Sequence, residues 1–237
     1  MIRTTLFLSL LALLPVSAEP PGPATPPEAD PARLTADGYR PLFDGKSLKG
    51  WEKVGGTGEY EVANNAIVGF GKNIRGNTFL RTRKTYSDFI LVFQFRFIDR
   101  SGNSGCQFRS EQRDGDGRVF GYQCEHDNNA KRSFTAGVYD EARRGWLYPG
   151  KMSAKEVAAQ FTAQGERLFK WDDWNTIVIK CDGRHIQTWL NGEKRADFQD
   201  EDEKNFTPEG FIALQVHGGK SGHIEWRNLY LKELPAD

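Results

Sequence analysis

Asp88-Phe89-Ile90-Leu91-Val92-Phe93-Gln94-Phe95-Arg96-Phe97-Ile98 is the stretch on which the reading of the fold turns. Phe89, Leu91, Phe93, Phe95 and Phe97 fall on one face, and Ile90, Val92, Gln94 and Arg96 on the other. This is the period of a strand packed on a core. Near the C-terminus the pattern recurs, with Ile212, Leu214 and Val216 on one face and Ala213, Gln215 and His217 on the other, so this strand turns polar groups away from its core. Between them, Thr176 to Lys180 and His185 to Leu190 read as strands joined across Cys181-Asp182-Gly183-Arg184, whose Asp-Gly pair favours a tight hairpin turn. Asn191-Gly192 supplies another turn. Earlier, Asn64-Asn65 separates the strand-like runs Tyr60 to Ala63 and Ala66 to Gly69. One segment has helical character: Ser153 and Glu156 form a capping-box pattern, with Val157 and Phe161 on one face behind it. Many short strands with one short helix and no internal repeat predict an all-β jelly-roll sandwich of two antiparallel sheets.

The ends of the chain bound its organisation. Arg3, an apolar run from Leu6 to Leu14, and small residues through Ala18 read as a signal peptide over 1–18, because the run is too short to span a bilayer. Residues 19–34 are rich in proline and read as a disordered tether. The remainder, 35–237, is long enough for one sizeable core. The chain is expected to be exported, periplasmic or extracellular, with no transmembrane segment. Lysine plus arginine equal aspartate plus glutamate at 32 each, which lacks the basic footprint of a nucleic-acid binder. Cys106, Cys124 and Cys181 are too few for a disulfide framework, although a Cys106–Cys124 bond is open if their strands are neighbours. No cofactor is expected. The acidic run Asp200 to Glu203 leaves a calcium site open, against the commoner reading of a solvated turn.

A series of motifs then narrows the reading: Leu42 to Trp51 (LFDGKSLKGW), Phe79-Leu80-Arg81-Thr82 with Tyr86-Ser87-Asp88-Phe89, Phe95-Arg96, Asn103-Ser104-Gly105 with Phe108-Arg109, Trp174-Asn175, Leu190-Asn191-Gly192, Gly210 to His217, and Arg227-Asn228-Leu229. In this order they resemble the 3-keto-disaccharide hydrolase family. The resemblance implies a concanavalin A-like lectin/glucanase sandwich and a carbohydrate ligand, with hydrolysis of 3-keto-glycosides as the expected activity. After Gly121-Tyr122 many members carry Glu-x-Gln-x-x-Asp, where this chain has Gln123-Cys124-Glu125-His126-Asp127.

Strand parity puts Gln123, Glu125 and Asp127 on one face and His126 on the opposite, core-directed one. The same parity aligns Gln107 with Arg109, so the expected polar face joins Arg109 to two carboxylates, with Gln215 and His217 from the strand near the C-terminus. Tyr139, Arg143, Arg144 and Trp146 lie in a loop-like segment, Thr135 to Gly150, placed to fold over that face. These residue types supply polar groups for hydroxyls and aromatic faces for a sugar ring. For a 3-keto-glycoside the chemistry is proton abstraction at carbon two, expulsion of the aglycone and addition of water. The expected roles are Glu125 as base, Arg109 as clamp, His217 or Tyr139 as acid, and Asp127 orienting Arg109 or His217. Two alternatives stand beside it: a non-catalytic lectin-like module, and a retaining glucanase using Glu125 and Asp127.

Overall fold

The inward face of the Phe89–Asp99 strand and the start of its outer face, at Ile90 and Val92, are buried, and covering them sets the architecture. A computed structural model describes residues 26–235. In chain order these form α1 (Pro31–Ala36), β1 (Arg40–Pro41), β2 (Trp51–Gly55), β3 (Glu59–Ala63), β4 (Ala66–Ile74), β5 (Thr78–Thr82) and β6 (Phe89–Asp99). Then follow β7 (Ser104–Gln112), β8 (Val119–His126), β9 (Val138–Glu141), β10 (Gly145–Tyr148) and α2 (Val157–Leu168). The chain closes with β11 (Asn175–Asp182), β12 (His185–Leu190), β13 (Glu193–Gln199), β14 (Phe211–Val216) and β15 (Gly219–Glu233). One sheet runs β13-β12-β11-β6-β15-β4-β3 with β1 on β15, and the other runs β10-β9-β8-β7-β14-β5-β2. This is the expected all-β sandwich of two antiparallel sheets.

Phe89, Leu91, Phe93, Phe95 and Phe97 enter the main core between the sheets, where Ile212, Leu214 and Val216 meet them from β14. The other face of β6, at Ile90 and Val92, is covered by Leu34 of α1 together with Tyr39, Val178 and Trp189. That contact corrects the expected tether over 19–34, because its last four residues, from Pro31, are helical. Asp30 caps α1 by accepting from the Arg33 amide at 2.7 Å, and Pro31 begins it, where a missing N–H costs nothing. The signal peptide expected at 1–18 and residues 19–25 lie outside the described residues. α2 starts at Val157 without the expected capping box: Ser153 Oγ instead accepts from the Gly150 amide at 2.8 Å. Cys106 and Cys124 face each other in register across β7 and β8, but both are free, as is Cys181. Burial among core side chains, with no bond between them, is what they share. His185 lies 2.6 Å from Asp197.

Arg109 departs most from its expected position. Between Phe108↔Tyr122 and Glu111↔Phe120 the β7 strand carries one residue more than β8, a bulge that reverses side-chain parity. Arg109 takes a positive φ of 43° there. Gly121 and Gly210 make room for it, since a Cβ on either would approach the Ser110 backbone to 2.9 Å and 2.5 Å respectively. The guanidinium therefore points away from Gln107, is 1% exposed, and pairs with Asp88. It also donates to the carbonyls of Ser87 and Gly183, at 2.5 and 2.6 Å. Arg109 ties β7 to the start of β6 and to the β11–β12 turn; it does not reach Glu125. Removing one partner of a buried ion pair strands the other. Arg109→Met should lower the free energy of chemical unfolding by about 3–5 kcal/mol; a loss under about 0.5 kcal/mol, as for an ordinary surface change, would contradict this placement.

Candidate functional site

The outer face of the second sheet carries a polar row. Gln107, Gln123 and Gln215 lie on three adjacent strands, all nearly fully buried. Gln215 Nε2 donates to Gln123 Oε1 at 3.0 Å, and Gln123 Nε2 donates to Glu125 Oε2 at 2.8 Å. The other carboxylate oxygen of Glu125 accepts from Asn103 Nδ2 at 2.9 Å and from Arg132 Nη2 at 3.3 Å. Burial dominates this environment. It pushes the Glu125 carboxyl up to about 7, with the charge of Asp127 adding to the rise and the bonds from Asn103, Gln123 and Arg132 opposing it.

Asp127, two residues on, does something different. Its two oxygens take Arg132 in a bidentate pair, Nε and Nη2 each at 2.8 Å. They also accept the amides of Asn129 and Phe134, at 2.9 and 2.8 Å. Asp127 therefore fixes the 128–134 turn and holds Arg132 against Glu125, and it orients neither Arg109 nor His217. With its oxygens engaged in this way, Asp127 is not placed to act as the second carboxyl group of a retaining glucanase pair. The Arg132 guanidinium lies 5.1 Å from the Trp146 ring centre, so one charged and one aromatic surface meet at the same wall.

Asn103, Gln123, Glu125, Arg132 and Trp146 line a pocket of about 220 Å³ that also includes Tyr139, Glu141 and His217. Tyr139 pairs across the sheet with Gln123, and its ring stands edge-on to Trp146 at 5.2 Å. The segment expected as a covering loop, Thr135 to Gly150, is largely the β9–β10 hairpin, which lengthens the sheet and brings Tyr139, Glu141 and Trp146 to the pocket. His217 Nδ1 is 2.7 Å from the Gly218 carbonyl, which can only accept, so that nitrogen carries a proton and Nε2 faces away from this bond.

The sequence-predicted residues thus divide. Glu125, Gln123, Tyr139, Trp146 and His217 come together, with Gln215 behind Gln123. Gln107 lies on the same face, with neither amide atom engaged by any of the described residues. Arg143 and Arg144 do not join them. Asp140 alternates with Tyr139 and Glu141 and so faces the other way; Arg143 donates to it at 2.8 Å, and Arg144 bonds Asp200 at 2.8 and 2.9 Å while its guanidinium lies 5.6 Å from the Tyr122 ring centre. The same pairing occupies the acidic run once open to calcium, with Asp200 and Asp202 both on Arg144. Among the described residues no group of three or more His, Cys, Asp or Glu is placed to hold a metal. His126 turns inward as parity predicts: it stacks on Phe95 at 3.9 Å, and burial lowers its pKa to about 3, which keeps the ring neutral.

Three pocket residues escaped the sequence reading: Asn103, Arg132 and Glu141. Asn103 opens a motif and so carried a signal, whereas Glu141 shares a face with Tyr139 only because 138–141 is a strand and not the loop expected. Arg132 lies in a turn, where no period applies. One consequence of the Glu125 environment is measurable. A carboxyl whose pKa is raised by folding contributes stability that is fully present below the unfolded value of about 4.5 and is lost as pH rises through about 7. Glu125→Gln, which cannot ionise, should therefore gain on the wild type by about 1–3 kcal/mol between about pH 5 and about pH 8 in denaturant melts. A difference independent of pH would contradict the raised value.

Comparison with known proteins adds the family. Among solved structures, a protein provisionally named a glycosyl hydrolase from Parabacteroides distasonis superposes with a TM-score of 0.59 at 20% identity, over 86% of this chain and 97% of that one. A protein of unknown function with a galectin-like fold from Bacillus subtilis gives 0.52 at 10% identity, over 84% and 100%. The lumenal domain of VIP36, bound to Ca²⁺ and Man3GlcNAc, gives 0.51 at 8% identity, over 81% and 88%. At these identities the likeness is one of fold, a lectin-like jelly roll. No curated protein matches the sequence. The family model for the 3-keto-alpha-glucoside-1,2-lyase-like domain matches residues 38–232, nearly the whole of the described sandwich, and the chain belongs to that family.

Proposed function

We propose that this protein is an exported enzyme that cleaves 3-keto-glycosides at the Glu125 pocket by elimination followed by hydration. The observation that carries the reading is a buried carboxyl with a pKa of about 7, held against a guanidinium and an indole in one small cavity. Each part answers a need of the chemistry. A ketone at carbon three acidifies the hydrogen on carbon two, and a base whose pKa lies near the working pH combines a useful ionised fraction with driving force for proton transfer. Removing that proton leaves an enolate on the carbon-three oxygen. Arg132, kept charged by Asp127, is the donor available to it, and no protein acceptor among the described residues engages its Nη1. Trp146 offers the flat apolar surface that a sugar's C–H face requires, and Asn103 and Tyr139 offer hydroxyl partners.

Collapse of the enolate forms the double bond between carbons one and two and expels the oxygen on carbon one. Water then adds to carbon one, carbon two is reprotonated, and the net reaction is hydrolysis. Arg132 takes the role expected for Arg109, while Glu125 keeps its own. Membership of a lyase-like family supports the elimination half. The apolar run near the N-terminus supports export.

Incubating the protein with a 3-keto-disaccharide and with its unoxidised parent should release product from the keto sugar alone. Glu125→Gln should lower kcat by about 10²–10⁴-fold. Retention of full activity in that variant would remove Glu125 from the chemistry, and binding of the sugars without turnover would make the protein a lectin.

A further inference from the structure

Beyond Glu141 lies a second cavity, of about 450 Å³, lined by Asn77, Phe79, Asp116, Arg118 and the turn glycines Gly76 and Gly117. Glu141 is common to the two linings. It stands at the end of β9 opposite Gly121, which has no side chain to cover it. Glu125, in contrast, lies near Gly137, whose carbonyl accepts its amide at 2.9 Å. Their Cα atoms are therefore separated by about four residues of strand, roughly 14 Å, and two glutamate side chains lining one pocket from its two ends narrow that to the scale of a sugar ring.

Glu141 is held at one oxygen only. Its Oε1 is 3.4 Å from Asn77 Nδ2 and 3.8 Å from Arg118 Nη2, while its Oε2 has no hydrogen-bond partner among the described residues. Asn77 is itself fixed, accepting the Gly218 amide at 3.0 Å beside His217. A first pocket of about 220 Å³ is smaller than a typical complete small-molecule site of about 300–1,000 Å³, and the second cavity shares the Glu141 wall with it.

We propose that Glu141 is the acid that protonates the leaving oxygen, and that the second cavity receives a polyhydroxylated leaving group, a second pyranose ring. The proposal rests on the elimination assigned to Glu125. As the bond from carbon one to the glycosidic oxygen breaks, the electron pair stays on that oxygen and the Glu141 proton moves to it. In the second half-reaction the Glu141 carboxylate takes a proton from the water whose oxygen bonds to carbon one, and Glu125 returns its proton to carbon two. Both carboxyl groups end as they began, and no oxidant or metal enters the balance. Burial, ahead of Arg118, His217 and Asn77, governs the Glu141 carboxyl and raises it. Asn77, Asp116 and Arg118 offer hydrogen-bond partners for sugar hydroxyls, beside the apolar surfaces of Phe79 and Val119.

Leaving-group dependence tests the acid. With a 3-keto-glucosyl-glucose disaccharide, whose sugar alkoxide leaves poorly, Glu141→Gln should lose at least about 10²-fold in kcat. With 4-nitrophenyl 3-keto-glucoside, whose phenolate leaves unaided, the loss should stay below about 10-fold. Equal losses on both substrates, or none on either, would overturn the role of Glu141. Wild-type protein inactive on both would instead overturn the elimination at Glu125. Should Glu141→Gln fail to fold, Glu141→Asp sets the carboxyl back by one methylene and decides the same comparison. For the second cavity, wild-type kcat/KM should be at least about 10-fold higher for the disaccharide than for methyl 3-keto-glucoside, whose alkoxide also leaves poorly. Equal values would overturn the sugar subsite.

Discussion

The bidentate pairing of Asp127 with Arg132 is the constraint on which the site depends. β8 ends at His126, and without an anchor the turn that follows would leave Arg132 in solvent, a long side chain with rotamer entropy to lose. Asp127 accepts two backbone amides of that turn and both the Nε and the Nη2 of Arg132. The charge is thereby delivered to Oε1 of Glu125 and to the face of Trp146. Planar, bidentate recognition by arginine holds direction as well as distance, and lysine could not reproduce it. Glu125 can then be buried deeply enough to hold its proton near neutrality while a permanent cation stands beside it.

Those opposing influences define what the pocket can do. A carboxylate stabilised only by the cation would be a weak base, and one stabilised by nothing would remain protonated. Burial raises the Glu125 carboxyl, while Asn103, Gln123 and Arg132 pull it back to a value near 7. A lectin needs hydrogen-bonding groups and an aromatic platform; it does not need a carboxyl tuned to exchange protons at neutral pH. The sandwich itself is indifferent to that distinction, since folds of this kind serve binding and catalysis alike. Catalysis is therefore supported by the site and not by the jelly roll.

Much of this was legible in the sequence wherever the two-residue period of a strand runs unbroken. It placed the phenylalanine stripe of β6 and the apolar face of β14 in the core, sent His126 inward, and put Gln123, Glu125 and Gln215 on one outer face. It failed where the period breaks. One extra residue in β7 carried Arg109 to the opposite side, a bulge that residue types alone do not announce. Parity continued past the end of β8 aligned Asp127 with Glu125, but a turn at that point made it an anchor for Arg132. Arg143 and Arg144 had the right chemistry on the wrong side of β9, because the hairpin was read as a loop and so carried no parity.

In the proposed reaction a 3-keto-sugar sits in the cavity between Glu125, Arg132 and Trp146, with carbon two toward the Glu125 carboxylate. A crystal structure of Glu125→Gln soaked with a 3-keto-disaccharide tests it most directly. The keto ring should stack on Trp146, with its carbon-three oxygen within hydrogen-bond distance of Arg132 and carbon two in contact with the residue 125 amide. A sugar bound on the face of the other sheet, or one in this pocket whose carbon two points away from residue 125, would contradict it.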